Sequence, residues 1–113
     1  MFSLCSLAQT QIVKETFGGP SAQVYIFDDF SARIDFECAT GTVQAGRWPT
    51  GQSRIAATGI YTPILIQRAQ KATFKANVDV STGKMVLAVK VGSLRAVNYQ
   101  LVRGQKSQFK RCR

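Results

Sequence analysis

Two stretches in the second half of the chain alternate between apolar and polar residues at period two, and a short loop joins them. Thr73-Phe74-Lys75-Ala76-Asn77-Val78-Asp79-Val80 is the first, Ser81-Thr82-Gly83 turns the chain, and Lys84-Met85-Val86-Leu87-Ala88-Val89-Lys90-Val91 is the second. Successive side chains of a strand point to opposite faces, so each stretch has one face for a core and one for water, which a helix would not give. Two such stretches with a short Gly-containing connection predict an antiparallel hairpin. The same period recurs in Arg33–Cys38, with Ile34, Phe36 and Cys38 on the apolar side, and in Ala96–Arg103, with Val97, Tyr99 and Leu101 on one face and Gly104 as the stop. Further strands are expected at Ala22–Phe27 ahead of an Asp28-Asp29 turn, at Thr42–Ala45, at Arg54–Tyr61 and, closing the chain, at Gln108–Cys112. The residues assigned to the core face are Ile34, Phe36, Cys38, Phe74, Val78, Met85, Leu87, Val89, Tyr99 and Leu101. Helical spacing is confined to Leu65–Lys71, where Pro63 fits ahead of one short turn of helix.

At 113 residues the chain is one domain long, and its 45 % hydrophobic content is enough for a core. Seven or eight short strands with Gly-rich turns define an all-β class: a small antiparallel meander barrel, with a two-sheet sandwich as the alternative. Closure removes the edges that a chain rich in Val, Ile and Phe would otherwise expose. The longest apolar runs fall short of the roughly 18 to 20 residues of a membrane-crossing helix, so no transmembrane helix is expected.

Histidine is absent, which removes the commonest general base and zinc ligand together. Asp35 and Glu37 share a strand face with Arg33 at a spacing suited to paired acid and base work. An Arg-Asp-Glu row on an outer face is more simply a solvated or cross-strand ion-paired row, with Lys75 or Lys84 as neighbours. Asp28-Asp29 reads as a hairpin turn rather than a calcium loop, and no glycine-rich phosphate loop follows a strand. The expectation is a protein that is not an enzyme and takes no cofactor or metal.

Three cysteines are present, Cys5, Cys38 and Cys112, at spacings that fit no zinc motif. Met1–Ala8 is apolar and ends in Ser6-Leu7-Ala8, which reads as the tail of a signal peptide or as an ordinary first strand, leaving 9–113 as the β-domain. Without that segment Cys38 and Cys112 remain. In an exported protein a disulfide between them is the natural pairing; in the cytoplasm they would be thiols, one of them buried.

The net charge of +9 is unevenly distributed. Residues 1–60 hold four basic and five acidic groups, whereas 61–113 hold eleven basic groups and one acid, Asp79. Such a field attracts nucleic acid, anionic lipid, acidic polysaccharide or an acidic protein, and does not choose among them. The candidate polyanion-binding residues are Lys90, Arg103, Lys106, Lys110, Arg111 and Arg113, with Arg68, Lys71, Lys75 and Arg95 as further cations and Tyr25, Trp48 and Tyr99 as stacking platforms. Trp48 lies in Gly46-Arg47-Trp48-Pro49-Thr50-Gly51, a turn that would either expose it as an interface anchor or fold it back over a barrel end.

A wider pattern joins these pieces: Phe17-Gly18-Gly19, then Ser31 to Val43 with its Arg33-Ile34-Asp35-Phe36-Glu37-Cys38-Ala39-Thr40-Gly41 block, then Gly59-Ile60-Tyr61, Gly83 to Val89, Tyr99 to Gly104, and Lys110-Arg111-Cys112. Over about two-thirds of the chain this resembles a group of uncharacterised exported bacterial β-rich proteins that carry a "G-A-R-I-E-F-D-C-A-x-G" block and a terminal cysteine. The chain departs from that pattern after Tyr61, where Thr62-Pro63-Ile64-Leu65-Ile66-Gln67 replaces a Gly-Gly-Pro loop. The resemblance implies export, to a secreted or periplasmic location, and a Cys38–Cys112 bridge, and it brings no activity. Two functional expectations stand: an exported, disulfide-closed, non-catalytic interaction or envelope-associated protein, and a cytoplasmic basic β-barrel that binds nucleic acid or another polyanion.

Overall fold

The alternating stretches become eight strands: β1 (Val13–Gly18), β2 (Ala22–Phe27), β3 (Ala32–Phe36), β4 (Ala39–Val43), β5 (Arg54–Pro63), β6 (Gln70–Asp79), β7 (Lys84–Val91) and β8 (Val97–Arg103). The computed structural model describes residues 12–48, 53–66, 68–107, 109–110 and 112. The leader-like segment 1–8 and two cations of the basic tail, Arg111 and Arg113, lie outside those residues. Every neighbouring pair of strands is antiparallel, the order is sequential, and β8 returns to β1, so the sheet is a closed meander barrel. No helix occurs among the described residues.

β2 and β7 have the bounds read from the sequence. On β7, Met85, Leu87 and Val89 face inward, while on β6 Ala72, Phe74, Ala76 and Val78 do the same. Together with Phe17, Val24, Ile26, Ile34, Phe36 and Leu101 they fill the interior, as the narrow bore of an eight-stranded barrel requires. Tyr99 is half-buried against this core.

Four expectations are corrected. Cys38 is exposed, because β3 ends at Phe36 and the chain bends through Glu37 and Cys38 so that Ala39 takes the next inward place. The strand expected at Gln108–Cys112 is not formed at its described residues; the barrel is closed by β1, whose Phe17 and Gly18 pair with Arg103 and Val102. No helix is formed at the described residues of Leu65–Lys71, where a turn at Ile64–Ile66 comes ahead of β6 from Gln70. Lys75 and Lys84 do not neighbour the Arg33-Asp35 row, since β3 lies between β2 and β4.

One end of the barrel, the base, carries the β2–β3, β4–β5 and β6–β7 connections. There Trp48 is fully buried in the core rather than exposed as an interface anchor. The Trp48 and Arg47 amides both donate to the Phe30 carbonyl, at 2.8 and 3.1 Å, and the Gly46 amide donates to Asp29 at 2.9 Å. These bonds fold the β4–β5 loop under the β2–β3 turn, so the indole plugs the base. Phe30 adopts φ 62°, an uncommon conformation for a residue with a Cβ, and its carbonyl accepts both bonds.

Candidate functional site

The opposite end, the mouth, is built from the β1–β2, β3–β4, β5–β6 and β7–β8 connections and from the C-terminal segment that follows β8. That segment is a strap across the outside of the barrel seam. The Gly104 amide donates to the Thr16 carbonyl at 2.8 Å, and the Ser107 amide donates to Gln23 Oε1 at 2.7 Å. Ser107 Oγ accepts the Gly19 amide at 3.1 Å and donates to the Ala22 carbonyl. Farther on, the Cys112 amide donates to the Glu37 carbonyl at 2.7 Å, and a disulfide joins Cys112 to Cys38 across 74 residues of sequence.

The strap accounts for Gly18 and the adjoining strand β8 for Gly19. A Cβ on Gly18 would collide with the Gln105 carbonyl of the strap, and one on Gly19 with the Gln100 carbonyl of β8. Backbone crosses backbone at these points, a geometry that glycine allows.

Inside the mouth lies an open cavity of about 300 Å³, lined mainly by Tyr61, Pro63, Val91, Leu94, Val97 and Tyr99, with Gln70 and Arg95 as its polar members. Both lining tyrosines pack on one core ring: Phe36 lies 5.5 Å from Tyr61 and 5.2 Å from Tyr99, tilted at 48° and 49°. Such tilted contacts fix the two phenols at the wall. Burial pushes the Tyr99 phenol above its usual range, and the Tyr61 phenol and the Glu37 carboxylate act in the same direction. Tyr99 therefore stays neutral at ordinary pH and is a hydroxyl donor beside an apolar surface.

The rim is apolar and basic together. Leu65, Ile66 and Leu94 are 67, 73 and 64 % exposed on the two connections that flank the cavity. Exposed Arg68 and Arg95 lie on the same connections, and exposed Lys71 and Lys90 on the adjoining strand ends. Lys110 approaches from the strap, two residues from the cysteine tied to Cys38. Among the described residues of the four connections, Glu37 is the one carboxylate.

Of the candidate polyanion residues, Lys90, Lys106 and Lys110 belong to the mouth. Arg103 does not: it lies at the far end of the β7–β8 ladder, where Val102 pairs with Lys84, six residues or roughly 20 Å along β7 from Lys90. There its guanidinium pairs with Glu15 at 3.7 Å and covers the Phe17 ring at 5.4 Å. Lys106 is exposed on the strap beside Gly19 and Pro20. The three aromatics proposed for stacking are dispersed. Tyr25 lies on the outer wall under the Arg33 guanidinium at 4.6 Å, Trp48 is inside the base and Tyr99 lines the mouth. Asp35 is ion-paired with Arg33 at 3.4 Å, and Glu37 lies beyond the end of β3.

Sequence reasoning passed over Tyr61, Leu65, Ile66 and Leu94. A signal was present in Pro63-Ile64-Leu65-Ile66, three aliphatics in a row after a proline. Compared with protein-family models, curated proteins and solved structures, the chain matches none.

Proposed function

We infer that this protein is an exported, non-catalytic binding barrel of the cell envelope whose working end is the mouth. The observation that carries the reading is the Cys38–Cys112 disulfide, which fastens the strap over the barrel seam beside that mouth. Disulfides of this structural kind persist in oxidising compartments and are rare in the cytosol. Engagement of Asp35 by Arg33 supports a non-catalytic role, because the carboxylate that could act with Glu37 is occupied as a structural ion pair.

The test is alkylation of protein freshly isolated from its source cells, with peptide mass mapping and cell fractionation. Cys38 and Cys112 take up reagent only after reduction, and the protein is recovered outside the cytoplasm. Free thiols at both positions, or a cytoplasmic location, would overturn export.

The second reading, binding of a polyanion, is supported by the place of Arg68 and Arg95 on two mouth connections, of Lys71 and Lys90 at the adjoining strand ends and of Lys110 on the strap. Its residues differ from those expected from sequence, since Arg103 belongs to another part of the surface. Heparin or single-stranded DNA binding that falls steeply with salt, and is lost on neutralising the mouth cations, is the result this reading requires.

A further inference from the structure

We propose that the mouth docks on an anionic lipid bilayer, with Leu65, Ile66 and Leu94 entering the interface and the surrounding cations holding the headgroups; this rests on the reading of the barrel as an envelope protein. The first observation is where the exposed aliphatics sit. Leu65 and Ile66 crown the β5–β6 connection and Leu94 the β7–β8 connection, and Val97 at 52 % exposure extends the apolar surface toward the cavity. An apolar surface of this kind on two adjacent loop tips, rimmed by charge, marks a surface that is covered in use.

The second observation is charge. Arg68 and Arg95 are on the same two connections as the aliphatics, with Lys71 and Lys90 at the adjoining strand ends and Lys110 on the strap. That is the arrangement of a peripheral membrane site, in which apolar groups enter the headgroup and acyl boundary to a depth of about 5–10 Å while Lys and Arg remain at the phosphates. Arginine and lysine suit this role because their aliphatic stems lie along apolar surface while the charge stays in water.

The same observations disfavour the other occupants. A second copy of the chain would bring five like charges against five, which opposes association through this face. A single-stranded nucleic acid is gripped through stacking faces as well as cations, but the groups that project here are aliphatic, and the mouth tyrosines are recessed in the cavity wall.

Flotation of the oxidised full chain with phosphatidylcholine vesicles, and with vesicles that also contain phosphatidylglycerol, tests the proposal. The expected result is binding to the anionic vesicles that weakens with salt, and little binding to the neutral ones. Each of Leu65→Ser, Ile66→Ser and Leu94→Ser lowers the partition coefficient about tenfold, and Arg68→Glu or Arg95→Glu at least about fivefold, with thermal midpoints near that of the parent protein. These positions are exposed, so their variants fold. Failure to float with anionic vesicles at low salt overturns the proposal, as does binding indifferent to all three serine variants. Retention of heparin or single-stranded DNA binding in those variants, with no vesicle binding in the parent, reassigns the face to a soluble polyanion. A dimer in sedimentation velocity that the serine variants dissolve reassigns it to self-association. A negative vesicle result with the disulfide present in exported protein defeats the docking alone, whereas free thiols in a protein that still floats defeat the export reading alone.

Discussion

Gln23 Oε1 accepts the Ser107 amide at 2.7 Å, so a side chain on the outer face of β2 holds the strap that begins after β8. Gln23 is only 5 % exposed although it points away from the core, because the strap covers it. Replacing it with leucine keeps the bulk and leaves the Ser107 amide without its acceptor. Gln23→Leu should lower unfolding stability by about 1–3 kcal/mol. Urea denaturation with an unchanged slope checks this.

The strap's crossing of Gly18 makes a second prediction. In Gly18→Ala the new methyl meets the Gln105 carbonyl, so the strap must lift or β1 must shift. Stability should fall by about 1–3 kcal/mol, a size usual for overpacking. Faster hydrogen exchange at the Gly104 and Ser107 amides would locate the loss in the strap.

Reduction of the Cys38–Cys112 disulfide frees a 74-residue loop in the unfolded chain. On the chain-entropy model the bond contributes about 4 kcal/mol. A reduced and alkylated sample should unfold at a clearly lower urea concentration; a midpoint equal to that of the oxidised protein would mean that the strap does not depend on the bond.

Phe36 is 3 % exposed and supports both mouth tyrosines, so Phe36→Ala should cost about 3–5 kcal/mol. Trp48 makes the corresponding prediction at the base. Its emission should be blue-shifted and resistant to aqueous quenchers in the native state, and Trp48→Ala should cost a similar about 3–5 kcal/mol.

Tyr99 sets an alkaline limit. Its phenol titrates at higher pH in the folded protein than the unfolded value of 10.0, so the folded state holds the proton more tightly. The resulting stability is fully present below pH 10.0 and is lost as pH rises toward the folded pKa. Unfolding curves measured across this range should fall less steeply for Tyr99→Phe than for the parent protein.

The all-β class and most of the register are legible in the residues alone. Alternation in 73–80 and 84–91 is a local property, because successive side chains of a strand diverge by geometry whatever the strand pairs with. Phe74, Met85, Leu87 and Val89 were legible as core for that reason, and the inward sides of β3 and β8 followed from Ile34, Phe36 and Leu101. The pairing of Cys38 with Cys112 was also within reach once two cysteines remained to be matched.

The remaining features depend on where distant segments meet. Whether Gln108–Cys112 or β1 closes the barrel turns on the stagger of β8 against Phe17 and Gly18, to which no local pattern points. Cys38 continues the alternation of β3 on paper but lies outside, since the strand has already ended at Phe36. Trp48 reads as a turn residue and becomes a plug because Phe30, eighteen positions earlier, offers its carbonyl to the Trp48 amide. The mouth is the clearest case. Arg68 and Arg95 are far apart in sequence, as are Leu65 and Leu94, and they share one rim because an antiparallel meander returns every second connection to the same end of the barrel.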